Sequence, residues 1–277
     1  MKNNKTYVIT GAASGIGKAL VERFSKDALV FAGYRKEGAD KALKELSPNI
    51  IPFRIDLCDD DSIQNAIEFI KSKTQKVDTL INVAGCVVAG AIEGISVKEL
   101  RHQFNTNTFG HIGFTQGLLE LLNGGRIINI SSMASYGIFP FISPYCASKR
   151  ALDILFNSLL LETKHDIKVV SIKPGVIATP LWNKSIEQNT QSIEGCKGFE
   201  NEMAYMIKNA DKNEKNGAPV EKVVETVVKA DLAKNPKLTY TVGVDAFAAR
   251  LVSKLPQGLI NKIIKSKVNK LSRNGSL

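Results

Sequence analysis

Long apolar runs are missing from this chain. No stretch approaches the ~18 consecutive apolar residues that a membrane-spanning helix requires. Met1-Lys2-Asn3-Asn4-Lys5 leads directly into a strand-like segment, so the reading expects neither a signal peptide nor a spanning anchor. Cysteine and histidine are scarce and scattered: Cys58, Cys86, Cys146 and Cys196 form no CxxC pair, and His102, His111 and His165 lie far apart. These spacings argue against a disulfide scaffold and against a zinc site, and the expectation is a cytoplasmic protein with reduced thiols and no metal. Acidic residues are absent from Ala246 to Leu277, where seven basic residues stand alone. The whole chain of 277 residues carries a formal charge of +10, and removing those seven leaves +3 on the first 245. The basicity therefore belongs to a tail, which counts against a nucleic-acid-binding core.

With 44% apolar residues the chain can fill a core, and disorder is excluded. Short apolar runs alternate with helical periodicity. The runs are Tyr7-Val8-Ile9, Leu29-Val30-Phe31, Ile50 to Ile55, Leu80-Ile81, Arg126 to Ile130, Val169 to Ile172 and Leu238 to Val242. Helical spacing fills the gaps, as in Ile63, Ile67 and Ile70. This pattern predicts an α/β fold: a doubly wound, Rossmann-type parallel sheet of about seven strands with helices on both faces. It forms one domain over 1–245, followed by a basic helical extension over 246–277. Asn183 to Pro219 is polar and of low order, and is expected to be a substrate lid or a surface excursion.

The first strand runs into Gly11-Ala12-Ala13-Ser14-Gly15-Ile16-Gly17 and then a helix. Glycines at such a junction allow a tight turn, close backbone approach to a pyrophosphate, and close packing of helix on strand. The phosphates would then sit at the helix N-terminus. At the end of the second strand, Tyr34-Arg35-Lys36 carries no acidic residue to bind a ribose 2′-hydroxyl. Arg35 and Lys36 would instead accept a 2′-phosphate, so NADP(H) is favoured over NAD(H).

Tyr145 and Lys149 are spaced i and i+4, hence on one helix face, with Ser143 and Pro144 in place as cap and first turn. A cation beside the phenol would favour its phenolate. These residues, together with the glycine turn, resemble the short-chain dehydrogenase/reductase family over nearly the whole chain. The resemblance implies that Asn107, Ser132, Tyr145 and Lys149 are the catalytic set, with Ser132 chosen over its neighbour Ser131. It places Gly11, Ser14, Gly15, Ile16 and Gly17 at the phosphates, and Asp56 with Leu57 near the adenine. It also assigns Asn82, Ala84, Gly85, Tyr145, Lys149, Pro174, Gly175, Ile177 and Thr179 to the cofactor site. Val83 departs from the family's usual asparagine, which puts a local hydrogen bond in doubt.

The implied reaction is hydride transfer between nicotinamide and a secondary alcohol or ketone. Tyr145 would move the proton, Ser132 would hydrogen-bond the substrate oxygen, and Lys149 would lower the pKa of Tyr145. Cys86, Val87, Val88, Met133, Tyr136, Phe139, Phe141, Leu181 and Trp182 are expected to border the site. Their apolar character suits a lipophilic substrate, and the branch of 17β-hydroxysteroid and retinol dehydrogenases is the one most resembled. A 3-oxoacyl reductase is the alternative within the family, and a catalytically silent NADP-sensing protein the alternative outside enzymes. Relatives commonly form homodimers or homotetramers.

In the tail, Leu259, Ile260, Ile263, Ile264, Val268 and Leu271 share one broad helix face. Lys267 projects into that face and Lys270 sits at its margin. The sequence therefore favours packing beside the cleft or at a subunit contact over weak contact with a membrane surface.

Overall fold

Successive residues of each strand enter two different cores, which is why the strands read as unbroken apolar runs. The computed structural model describes residues 5–189, 193 and 195–274. In β1 (Thr6–Ile9), Tyr7 and Ile9 join one cluster and Val8 the other. β2 (Leu29–Tyr34) separates Val30 and Ala32 from Phe31 in the same way. β3 (Ile50–Arg54), β4 (Thr79–Asn82), β5 (Arg126–Ile130), β6 (Lys168–Pro174) and β7 (Thr239–Val242) complete the sheet. All pairings are parallel, in the order β3-β2-β1-β4-β5-β6-β7. The order reverses between β1 and β4, and a doubly wound sheet opens its ligand crevice at such a point.

Ten further helices follow α1 (Gly15–Phe24) among the described residues: α2 (Ala39–Leu46), α3 (Asp60–Lys71), α4 (Val97–Phe104), α5 (Gly110–Leu118), α6 (Ser143–Glu162), α7 (Leu181–Gln188), α8 (Glu200–Asn216), α9 (Glu221–Leu232), α10 (Val244–Val252) and α11 (Gln257–Asn274). The first core takes Leu20, Val21 and Phe24 from α1 and Val223, Val227 and Ala230 from α9. The second takes Ile63, Ile67 and Ile70 from α3, Phe114 and Leu118 from α5, and Leu152 and Phe156 from α6. Burying a side chain such as Phe156 fully is worth about 3 kcal/mol.

One acid ties the sheet to α9. Asp231 is buried and accepts from the hydroxyls of Tyr7 (2.8 Å) and Thr79 (2.6 Å), and Lys5 lies 3.0 Å from it.

One expectation is corrected here. Among the described residues of 183–219, order is high: α7 and α8 occupy much of the segment, and α8 buries Glu202, Met203 and Ala210 in an otherwise polar sequence. The tail helix α11 packs against α8, burying Ile260 and Leu271 while leaving Leu259 and Ile263 exposed. Among the described residues no helix is long and apolar enough to cross a membrane.

Candidate active site

The turn after β1 is held by a side chain the sequence reading passed over. Thr10 Oγ1 accepts from the backbone N–H groups of Val83 (2.9 Å) and Ala84 (3.2 Å), drawing the end of β4 against β1. Gly11 has φ +65°, and a Cβ there would stand 2.8 Å from the Cα of Ala84. A Cβ on Gly17 would stand 2.1 Å from the carbonyl oxygen of Gly11. Side chains at these positions would fill the cradle. Ser14 precedes α1 in extended conformation without capping it, so the first-turn N–H groups face outward for an anion. The residues present therefore fit a dinucleotide.

A cleft of about 490 Å³ begins at this turn. Gly11, Ser14, Gly15, Ile16, Gly17, Arg35, Lys36, Asp56, Leu57, Ala84, Gly85 and Thr179 lie on its walls. At the end of β2, Tyr34, Arg35 and Lys36 line the cleft, while the following Glu37 does not. The walls also include His102, Thr106 and Lys184, which sequence reasoning did not select. His102 stands 3.4 Å from the thiol of Cys58, and a hydrogen bond to Cys86 raises its pKa.

Other expected residues lie off these walls. Asn82 is buried and donates to Asn129 (2.9 Å). The side chain of Ile177 joins the first core, where its neighbours are apolar. Pro174 ends β6, and Gly175 backs onto Asp245, whose carboxylate accepts from the N–H of Val176 (2.7 Å). Val83 packs on the first core, and Thr10 supplies a local hydrogen bond at its N–H.

Asn107, Ser132, Tyr145 and Lys149 lie off these walls too. α6, which carries the last two, starts one residue earlier than expected. Ile142 takes the cap position, and Ser143 is already helical with Pro144 in the first turn. A serine side chain can cap only from a non-helical backbone, so Ser143 makes no cap. Tyr145 and Lys149 are both buried, with the Lys149 ammonium 6.0 Å from the Tyr145 ring centroid and donating to the carbonyl of Ile130 (2.9 Å). The Ser132 hydroxyl accepts from the N–H of Ala134 (3.1 Å) and stands near enough to the Tyr145 phenol to favour its ionised form. Ser131 Oγ, by contrast, is buried with no partner.

Asn107 sits in a π-helical turn, Asn105–Phe109, between α4 and α5. Such a turn is a frequent mark of a functional site. Its Oδ1 accepts from the N–H of Cys86 (2.9 Å), and its Nδ2 donates to Ser148 Oγ (3.1 Å). Gly85 separates Asn107 from Lys149: a Cβ there would lie 3.3 Å from Asn107 Oδ1 and 3.5 Å from Lys149 Nζ.

Burial dominates the electrostatics. It pushes Tyr145 up to about 12, partly offset by the Ser132 hydrogen bond. Lys149 does not bring about the expected lowering, and burial prevails because a phenolate here would lose its water. Burial also brings Lys149 down to about 8, against the opposing charge of Asp153. Asp153 itself pairs with Lys173 at 2.7 Å. His111, fully buried, donates to the carbonyl of Ala84 (2.8 Å) and falls to about 3.

Above Tyr145 lies an apolar cluster of Val87, Ala89, Ala134, Ile142 and Cys146, with Phe139, Leu181, Trp182 and Met206 against it. Trp182 meets the Tyr145 ring edge-on at 6.3 Å. Met206 comes from α8 and had no local signal. Two expected border residues turn elsewhere. Tyr136 bonds Thr241 Oγ1 (2.8 Å) beneath the Lys173 ammonium, and Phe141 packs on Phe199.

Fold and site together define an oxidoreductase acting on CH–OH or carbonyl groups. Residues 5–190 match the family model described as short chain dehydrogenase, and the chain belongs to the short-chain dehydrogenase/reductase family. It is 33% identical to an NADPH-dependent 3-dehydrocapnine reductase of Ornithobacterium rhinotracheale, over 96% of this chain and 98% of that protein. It is 29% identical to a 3-ketodihydrosphingosine reductase of Bacteroides thetaiotaomicron, over 93% of this chain and 96% of that one. The fold matches that of a short-chain dehydrogenase from Streptomyces avermitilis with a TM-score of 0.76 at 23% identity, covering all of both chains.

Proposed function

We propose that this chain is an NADPH-dependent reductase of a ketone on a long apolar chain. The observation that carries the reading is the buried Tyr145, kept protonated by burial, within the apolar cluster against which Trp182 packs edge-on. That arrangement sets an acid for a carbonyl oxygen among apolar side chains. The near-full-length resemblance to reductases named for 3-dehydrocapnine and 3-ketodihydrosphingosine supports a sphingoid-like lipid ketone.

The chemistry a reduced nicotinamide would supply, if held in the cleft, is the hydride. Gly11 and Ser14 to Gly17 would hold its pyrophosphate, Arg35 and Lys36 the 2′-phosphate, Asp56 and Leu57 the adenine side, and Thr179 the nicotinamide end. Ser132 hydrogen-bonds the substrate oxygen, and Tyr145 delivers the proton to it as the carbonyl becomes a hydroxyl. Lys149, near neutrality in its titration, returns a proton to Tyr145, with Asn107 positioned across Gly85 to hold the relay. α7 and α8 act as the lid, contributing Trp182 and Met206. Exposed Ile154, Leu155 and Leu161 on α6 suit pairing with a second copy.

The test is titration with NADPH and with NADH, followed by NADPH oxidation with a long-chain 2-amino-3-ketone. In Arg35→Ala, affinity for NADPH should fall about tenfold, the loss of one charged hydrogen bond, while NADH binding stays unchanged. Equal effects on both nucleotides would reject the phosphate role. Absence of turnover with every long-chain ketone would reject the substrate class.

A further inference from the structure

We propose that α10 and α11 form a docking surface for an anionic lipid bilayer. The apolar stripe of the tail helix splits in two. Ile260 and Leu271 face inward, and the partly covered Ile264 and Val268 lie on the same side. Leu259 (46% exposed) and Ile263 (42%) form a second apolar strip outside. On α10, Val244 (87%), Phe247 (51%) and Leu251 (66%) are exposed as well, spaced three and four residues apart on one side of that helix. Exposed apolar residues on two consecutive helices are more than the single scattered ones normal for a surface.

From Ala246 onward the charge on the two helices has one sign, while Asp245 sits in the first turn of α10 beside Val244, tied to the N–H of Val176. Arg250, Lys254, Lys262, Lys265, Lys267, Lys270 and Arg273 accompany the exposed apolar residues, with no acidic residue from Ala246 onward. By helical spacing, Lys262, Lys270 and Arg273 fall on the side of α11 that carries Leu259 and Ile263. Apolar side chains flanked mostly by cations complement phosphate headgroups over an apolar interior.

The same helix touches the lid. Asn201 of α8 donates to the carbonyl of Ser272 (2.9 Å), and the Ser272 hydroxyl bonds Glu202. α8 in turn brings Met206 to the cluster above Tyr145. A bilayer engaging α11 would thus bear on the element that covers the pocket. The docking rests on the surface alone, and its use for delivering substrate rests on the lipid-ketone reading above.

The experiment is sedimentation of the full chain with vesicles of phosphatidylcholine containing one-third phosphatidylglycerol, and with phosphatidylcholine alone. The wild type should pellet with the first and not the second, and high salt should release it. Lys262→Gln and Lys270→Gln should each weaken partitioning about fivefold. Leu251→Asp/Ile263→Asp should stay in the supernatant while still binding NADPH, which shows that it is folded. A wild type that never pellets, or a double variant that pellets equally, would overturn the proposal. So would light scattering that finds a dimer broken by the double variant, since the strip would then join two copies. Because no step uses a substrate, failure to reduce lipid ketones would leave the vesicle result standing, and the reverse.

Discussion

Removing the Tyr145 hydroxyl tests the proposed acid directly. Tyr145→Phe keeps the ring against Trp182 and deletes only the donor, so turnover should drop by about 10²–10⁴-fold with NADPH affinity nearly unchanged; near-normal turnover would end that assignment. His111 makes a separate prediction about stability. Its folded pKa lies near 3 against an ordinary 6.5, so between those values the unfolded chain binds a proton that the folded chain refuses. Its contribution is therefore intact above about pH 6.5 and is lost as pH falls toward 3, on the order of 1.4 kcal/mol for each pH step across that window. Urea midpoints across that range should fall with acid, and His111→Gln should flatten the slope. Tyr145, Lys149 and the glycine turn were legible in the sequence because their chemistry is set by local spacing. Thr10, His111 and Asp245 were not, because each acts on backbone atoms that are near only after folding.

The strands were the easiest elements to read, since burial on both faces leaves an unbroken apolar run whatever their neighbours. α8 was the hardest. Its buried positions, Met203 and Ala210 with Met206 partly covered, are few among seventeen mostly polar residues, so the polar face hid the periodicity. Ser143 misled for a related reason: the hydroxyl suits a cap, but the chain is already helical there. The lid assignment predicts that Trp182→Ala opens the pocket over Tyr145. KM for a long-chain ketone should rise at least several-fold, with a much smaller change for a short ketone. A uniform loss across chain lengths would place Trp182 outside the lipid path.

At the scale of the molecule, the alternation of strand and helix was enough to give a doubly wound sheet. It did not reveal that Asp231 fastens the sheet to α9. Asp231→Ala strands Lys5 and leaves the Tyr7 and Thr79 hydroxyls without their acceptor in the interior. The expected cost is about 3–5 kcal/mol, read as a lowered urea midpoint; a cost under about 1 kcal/mol would mean that water takes the place of the carboxylate. That fastening spans 224 residues between Tyr7 and Asp231. During synthesis the Tyr7 phenol waits for 224 further residues before its acceptor emerges. A product that stops before residue 231 keeps the glycine turn and loses this clasp, leaving the Tyr7 and Thr79 hydroxyls without the carboxylate that joins them.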